Sequence, residues 1–318
     1  MKSCFIKGDS DAIQSAYALV SGLRLHYLAV QSPAAVAVEP MTLVFLHGFP
    51  EHAGVWQAQL GYFSSKYRAI ALDLPGYNLS EGPNDLTGYA VPNLVEVVAE
   101  FLRVVSHGEK VVLIAHDWGG ALAWPLASRY PELLSHLVIL NAAHPSTFTR
   151  EMLHNKRQRS MSDYIHDFLH PDAETQLCNN QFEHLKQHSI HHIAVDLSAE
   201  DVEHYMTAWS RPNAVTNMLN YYRAMPQLFA REGAQTQADQ HQQPAMKIPD
   251  IRISVPTLVL WGEQDQAFDS GVLTGLGHYI DDYTEVRFAD ATHWLHHEIP
   301  DEISRHIAEF ITSPPEPH

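Results

Sequence analysis

Val112-Leu113-Ile114-Ala115-His116-Asp117-Trp118-Gly119-Gly120 is an apolar run that stops at a carboxylate and restarts on small residues. The first part reads as a strand buried on both faces, and the glycines as the opening of a helix. A sharp strand-to-helix turn of this kind, a nucleophile elbow, lifts one side chain above the edge of a sheet. Gly119 and Gly120 let strand and helix crowd together. Asp is also a common helix N-cap, but the strand before Asp117 and the paired glycines after it favour the elbow.

The surrounding chain alternates in the same way. Thr42–Leu46 is a short apolar strand ending at His47-Gly48, and Tyr67–Leu72 is another ending in Asp73-Leu74-Pro75-Gly76. Lys110–Ala115 leads to the elbow, and Leu137–Leu140 follows it. Tyr17–Val20 and Leu23–Ala29 pattern as a hairpin around Ser21-Gly22. Between strands, Leu94, Val95, Val98, Phe101, Leu102 and Val105 keep a 3.6-residue period, and Trp56, Leu60 and Phe63 read as helix core. Alternating strands and helices predict an α/β fold with a mostly parallel sheet and right-handed crossovers.

From about Thr147 to Ile248 the texture changes to His, Asn, Gln, Met and aromatics, with a polar, Gln-rich connector at Gly233 to Gln243. The alternating pattern resumes with Thr257–Trp261 and Thr284–Phe288. Ile303, Ile307, Phe310 and Ile311 then mark a final amphipathic helix. The expected organisation is one core domain, residues 1–146 and 249–318, with a helical cap at 147–248 inserted at the carboxyl edge of the sheet, where it would cover the site as a lid.

A carboxylate at the elbow narrows the chemistry. Ser attacking a saturated carbon would give an ether that water cannot open. Asp attacking the same carbon gives an ester, whose carbonyl lets activated water release product and regenerate the carboxylate. Asp117 therefore suits displacement at sp3 carbon, with epoxides and alkyl halides as the obvious substrates. Ester cleavage needs a base. His293 in Ala291-Thr292-His293-Trp294 follows the Thr284–Phe288 strand by a short loop, where a catalytic His belongs. Asp265 in Trp261-Gly262-Glu263-Gln264-Asp265 is the best candidate to orient it. Glu263 and Asp269 are fallbacks, and Asn141 occupies the alternative position for the acid but carries no charge. The order Asp117, Asp265, His293 is nucleophile, acid, base.

The ester's oxyanion needs donors. The backbone N–H of Trp118 supplies one, and that of Phe49, in His47-Gly48-Phe49-Pro50, supplies the other. Gly48 permits close approach, and the Phe49–Pro50 bond is a candidate for cis. Opening an epoxide also needs an acid for the ring oxygen, a task for a Tyr hydroxyl. Tyr164 and Tyr222 stand out, although with thirteen Tyr in the chain either alone reads first as packing. Trp118 and Trp294 flank catalytic positions and are expected to wall an apolar pocket with His47 and Pro50. His184-Leu185-Lys186-Gln187-His188 spaces two imidazoles at i and i+4, but no Glu or carboxylate cluster accompanies them, and a solvated helix is the simpler reading.

These motifs resemble the epoxide hydrolases of the α/β-hydrolase superfamily over nearly the whole chain. The resemblance rests on His47-Gly48-Phe49-Pro50, Asp73-Leu74-Pro75-Gly76-Tyr77, His116-Asp117-Trp118-Gly119-Gly120, Asn141-Ala142-Ala143-His144-Pro145 and Thr292-His293-Trp294. It implies an α/β-hydrolase fold with Asp117 as nucleophile, His293 as base and Asp265 as acid. Leu219-Asn220-Tyr221-Tyr222-Arg223 and Asp163-Tyr164 with Phe168 look like the family's segments bearing the two ring-opening tyrosines. Haloalkane dehalogenases resemble the chain at His116-Asp117-Trp118-Gly119. Their second halide donor is often an Asn where Phe49 stands, and Phe cannot donate. Haloacid dehalogenases need an Arg beside the nucleophile, and Trp118 and Gly119 offer none. A third alternative is a hydrolase fold kept as a small-molecule receptor.

The 318 residues, 45% hydrophobic, suffice for a large core. A net charge of −17 disfavours nucleic acid and anionic membrane as partners. No run reaches the length needed to span a bilayer, and no signal peptide is read at the N-terminus. Two distant cysteines, Cys4 and Cys178, suit a reducing compartment, so the expected location is cytoplasmic. The expected partners are a small apolar epoxide and water, with no metal or organic cofactor, in a monomer or homodimer.

Overall fold

The computed structural model describes residues 13–30, 41–225 and 247–312. Among them one sheet contains β1 (Gln14–Val20), β2 (Leu23–Val30), β3 (Thr42–Leu46), β4 (Arg68–Leu72), β5 (Val111–His116), β6 (Leu134–Leu140), β7 (Thr257–Gly262) and β8 (Tyr283–Phe288). The strand order is β1-β2-β4-β3-β5-β6-β7-β8. β2 pairs antiparallel with β1 and β4, and every pairing from β4 to β8 is parallel. The β1–β2 hairpin turns at Ser21 and Gly22, both at positive φ.

Period-two alternation divides the buried strands between two apolar cores. Val44, Leu46, Ile70, Leu72, Leu113 and Ala115 face one side, with α2 (Val91–Val105) and α3 (Trp118–Arg129) packed over them. Leu43, Phe45, Ala69, Ala71, Val112 and Ile114 face the other. There they meet Trp56, Leu60 and Phe63 at α1 (Gln57–Phe63) and Ile303, Ile307 and Ile311 of the C-terminal helix. All six apolar positions expected on α2 are buried. Each fully buried large apolar side chain of that stripe contributes about 1.5–3 kcal/mol toward holding the helix on the sheet.

β1 and β6 each begin three residues before their expected bounds, and β2, β4, β5, β7 and β8 shift by one residue at one or both ends. β6 begins at Leu134, because Ser135 and His136 sit half-buried at its start, where polar side chains are tolerated and apolar patterning is silent. β8 lies at the edge of the sheet and is only partly buried, unlike the central strands.

Between β6 and β7 the described chain is helical: α4 (Pro145–His154), α5 (Lys156–Met161), α6 (Tyr164–Phe168), α7 (Ala173–Gln187), α8 (Ala199–Trp209) and α9 (Ala214–Arg223). α7 is broken at Asn179, with Asn180, Gln181 and Phe182 all at positive φ. The expected connector Gly233–Gln243 lies outside the described residues. Two further helices follow β8, α10 (Leu295–Glu298) and α11 (Pro300–Thr312).

The elbow is as tight as the glycines imply. Asp117 sits at φ 48°, ψ −117°, an uncommon position for a residue with a side chain. A methyl on Gly119 would lie 2.6 Å and 2.7 Å from the carbonyl oxygens of Leu46 and His47, and one on Gly120 would overlap Ala142. Because the obstacles at Gly119 are backbone atoms, Gly119→Ala is expected to cost about 1–3 kcal/mol in urea unfolding. An unchanged midpoint would show that strand and helix have room to separate.

Candidate active site

Residues from five parallel strands converge at their carboxyl ends, where open α/β sheets hold their ligands. β3 leads to the loop His47–Pro50, β5 to Asp117, β6 to Asn141, β7 to Asp265 and β8 to His293. The helices between β6 and β7 add Tyr164 on α6 and Tyr222 on α9 to the same cavity wall as Asp117 and His293.

The carboxylate of Asp117 is asymmetric in its contacts. Oδ1 accepts the Phe49 N–H at 2.7 Å, while Oδ2 faces His293 Nε2 at 3.6 Å. Gly48 makes this approach feasible, since any Cβ there would overlap the Asp117 side chain. The Phe49–Pro50 peptide is cis. Burial by itself would raise the pKa of Asp117. Hydrogen bonding and charge from His293, the charge of His116 and the Phe49 N–H outweigh it and hold the group below the ordinary carboxylate value.

His293 Nδ1 donates to Asp265 Oδ2 at 2.8 Å. That fixes the ring, with Nε2 turned toward Asp117. Asp265 is fully occupied as an acceptor. Its Oδ2 also takes the Asn141 amide at 2.6 Å, and Oδ1 takes the N–H groups of Ala267 and Phe268 at 2.6 Å and 2.9 Å. Asn141, at the alternative position for the acid, thus steadies the acid instead. Of the fallbacks, Glu263 pairs with Arg287, and Asp269 contacts Asn155 and Arg157. For His293, burial lowers the pKa, but Asp265 and Asp117 on its two sides overcome this and raise it to about 10. The free site therefore holds an imidazolium between two carboxylates.

Tyr222 is buried against Phe49, Phe168 and Trp118, at ring separations of 5.3 Å, 5.2 Å and 5.1 Å. Burial, helped by Tyr164 and Asp117, pushes its hydroxyl pKa well up; burial with Asp117 and Asp265 does the same for Tyr164. Both stay protonated as donors at any working pH. Trp294 lines the chamber beside His293, and Trp118 walls the other side of Asp117.

Two residues expected in the pocket wall stand elsewhere. His47 is fully buried, its Nδ1 donating to the Gly48 carbonyl at 2.8 Å and its Nε2 accepting the Leu74 N–H at 3.0 Å. It braces the loop that presents Phe49 and does not border the cavity. Pro50 is also outside the cavity lining, and its carbonyl accepts the Trp209 indole N–H at 2.7 Å, a tie between the loop and α8.

Sequence patterning does not single out Glu51. Its buried carboxylate accepts from His296 Nε2 at 3.0 Å, His297 Nε2 at 2.9 Å, the Tyr205 hydroxyl at 3.1 Å and His116 Nδ1 at 3.1 Å. Burial alone would raise its pKa; His296 and these hydrogen bonds hold it well below the ordinary value. His116 Nε2 meets the carbonyl oxygen of His293 at 3.0 Å, so both its ring nitrogens face oxygen atoms. The network anchors the backbone of His293 from beneath. His188 also departs from expectation. It ends α7 half-buried on the cavity wall, while His184 faces solvent.

A family model for the alpha/beta hydrolase fold matches residues 42–300. The chain is 33% identical to Epoxide hydrolase 3 of Xenopus tropicalis, over 92% of this chain and 75% of that one. It is likewise 33% identical to Epoxide hydrolase 4 of Homo sapiens, over 92% and 76%. Among solved structures it is similar to an epoxide hydrolase from Bacillus megaterium in complex with an inhibitor. That likeness has a TM-score of 0.79 and 32% identity, and covers 94% of this chain and 100% of that one.

Proposed function

Because the chain belongs to the α/β-hydrolase fold family and, within it, to the epoxide hydrolases, we propose that it opens an epoxide to a vicinal diol through an ester formed on Asp117. The observation that carries this reading is the division of labour between the two oxygens of Asp117. Oδ1 already rests on the Phe49 N–H, so Oδ2 is the free nucleophile. It attacks a ring carbon, the C–O bond of the epoxide breaks, and the departing oxygen takes a proton from Tyr164 or Tyr222. A free alkoxide is a stronger base than either phenolate, so the raised tyrosine pKa values keep the donors charged with protons without preventing the transfer.

In the ester, Oδ1 is the carbonyl oxygen. It lies beside the Phe49 N–H, and the N–H of Trp118, the first residue of α3, serves as the second donor in this scheme for the negative charge that builds on Oδ1 as water adds. Esterification also removes the charge of Asp117, one of the two carboxylates that hold up the His293 pKa. The imidazolium can then shed its proton, which by way of solvent restores the tyrosine hydroxyl spent on the ring oxygen, and the base appears only once there is an ester to cleave. His293 takes a proton from water and hydroxide adds to the carbonyl. Collapse expels the diol oxygen, which takes that proton back from His293, and the new carboxyl group then gives its own proton to the imidazole, restoring Asp117 as the carboxylate. Asp265 holds the ring and its charge throughout.

Residues 147–248 act in this scheme as a cap over a core of residues 1–146 and 249–318. The support is that Tyr164, Phe168, His188, His192 and Tyr222 reach the cavity from that segment. Among the described residues no helix is long and apolar enough to cross a membrane. Sparse cysteines support a cytoplasmic location, and the net charge of −17 argues against a nucleic-acid partner.

Diol formation from a panel of apolar epoxides tests the reading, and saturable binding without turnover would favour a receptor. Tyr222→Phe separates epoxide opening from halide displacement. Loss of a proton donor is expected to slow epoxide turnover by about 10²-fold or more and to leave any halide release from alkyl bromides nearly intact. Equal damage to both reactions would mean that Tyr222 shapes the cavity and does not protonate the oxygen.

A further inference from the structure

Asp117, Tyr164, Tyr222 and Ala267 belong to the walls of two chambers, which meet at the nucleophile. The larger, about 920 Å³ and partly open to solvent, is lined mainly by apolar groups such as Ala121, Pro125, Phe148, Ile165 and Phe268. The smaller, about 650 Å³, mixes aromatic rings with His188, His192, Gln266 and Thr292. An epoxide held at Asp117 therefore has unlike surroundings on its two sides.

His188 is the polar group with the most to offer a ligand. Its ring packs against Phe168 at 5.4 Å and Tyr164 at 6.0 Å. Among the described residues its ring nitrogens take no hydrogen bond. Burial, with the neighbouring His184 and His192 rings, pushes its pKa down, so at neutral pH it presents one donor and one acceptor nitrogen without charge. No Lys or Arg lines this chamber, and the charge of His293 on its wall is already balanced by Asp117 and Asp265 on either side. The chemistry there suits a neutral hydrogen-bonding group and opposes an anion.

Building on the epoxide-hydrolase reading, we propose that the preferred substrates are epoxides with unlike substituents: an aryl or branched alkyl group seated in the larger chamber, and a short uncharged polar group, such as a hydroxymethyl, bound by His188 in the smaller. His188 thereby acts as a specificity-determining residue. In a wholly apolar chamber a hydroxyl would lose its water partners and an ethyl group of equal size would be favoured.

The test compares kcat/KM for three epoxides that share a phenyl on one ring carbon and differ on the other: hydroxymethyl, ethyl and carboxylate. Wild type is expected to favour hydroxymethyl over ethyl by about two- to tenfold, the range of one net hydrogen bond, and to turn over the carboxylate most slowly. In His188→Phe the hydroxymethyl-to-ethyl ratio should fall to about one or below, whatever the absolute rate, and His188→Gln should retain a preference for the hydroxymethyl compound. A wild-type ratio at or below one, or a ratio unchanged in His188→Phe, overturns the assignment while leaving the epoxide hydrolase standing. No turnover of any of the three, or of the simple apolar panel, would remove the underlying activity and this inference with it.

Discussion

In a His293→Gln variant, one equivalent of epoxide is expected to react and the chain then to remain esterified. The amide can occupy part of the imidazole's place but cannot take a proton from water. In the proposed mechanism the first half-reaction needs the free Oδ2 of Asp117 and a tyrosine proton, and the second needs the base. Steady-state turnover should fall by about 10²- to 10⁴-fold, the usual worth of a positioned general base. Intact-protein mass spectrometry should show the chain heavier by the mass of one epoxide, with the adduct on the peptide containing Asp117. Normal turnover would mean that the base is misassigned. Lost turnover with no adduct would mean that no ester forms. In the wild type the ester should decay faster as pH rises and then level off below the free-site value of about 10, because the ester no longer carries the Asp117 charge that helps hold the His293 proton.

Asp117→Ala should remove both turnover and adduct, with a loss of at least about 10⁴-fold, as expected when the nucleophile of a covalent mechanism is deleted. Isotope placement gives the complementary result in wild type. Under single turnover in heavy-oxygen water, the label should enter the carboxylate of Asp117, and the first diol should carry an oxygen from the protein. Label found directly in the first diol would mean that water attacks the epoxide without an ester, with Asp117 reduced to a base. Retained activity in Asp117→Ala would point the same way.

The central strands are legible in the sequence because they are buried on both faces and so read as unbroken apolar runs. Thr42–Leu46 needs no revision. Asp117 and Asp265 are legible for a related reason: each follows such a run by a few residues, and strand ends in a parallel sheet converge. His293 follows the partly buried edge strand β8 and is legible from its position in the loop after that strand. Glu51 is not. It sits in a loop with no periodicity, and its partners lie 65, 154, 245 and 246 residues away. Nothing local marks a carboxylate that will be buried among three imidazoles and a phenol. His188 escapes notice for the opposite reason. Its local pattern suggests a solvated helix, but the left-handed stretch 180–182 breaks α7 and re-aims the turn that follows. His47 and Pro50 neighbour Phe49 in the chain, yet successive backbone positions in a tight loop point in different directions.

The anchoring of Oδ1 has a further consequence. With that oxygen pinned at 2.7 Å to the Phe49 N–H, the carboxylate cannot freely swivel, so its partner strikes from one fixed bearing. In the proposed mechanism the tyrosines hold the leaving oxygen from a likewise fixed direction. Backside displacement then inverts whichever carbon is presented. The handedness of the diol is decided by which way round the guest lies across the junction, a question of fit that substitutions far from the triad can rewrite.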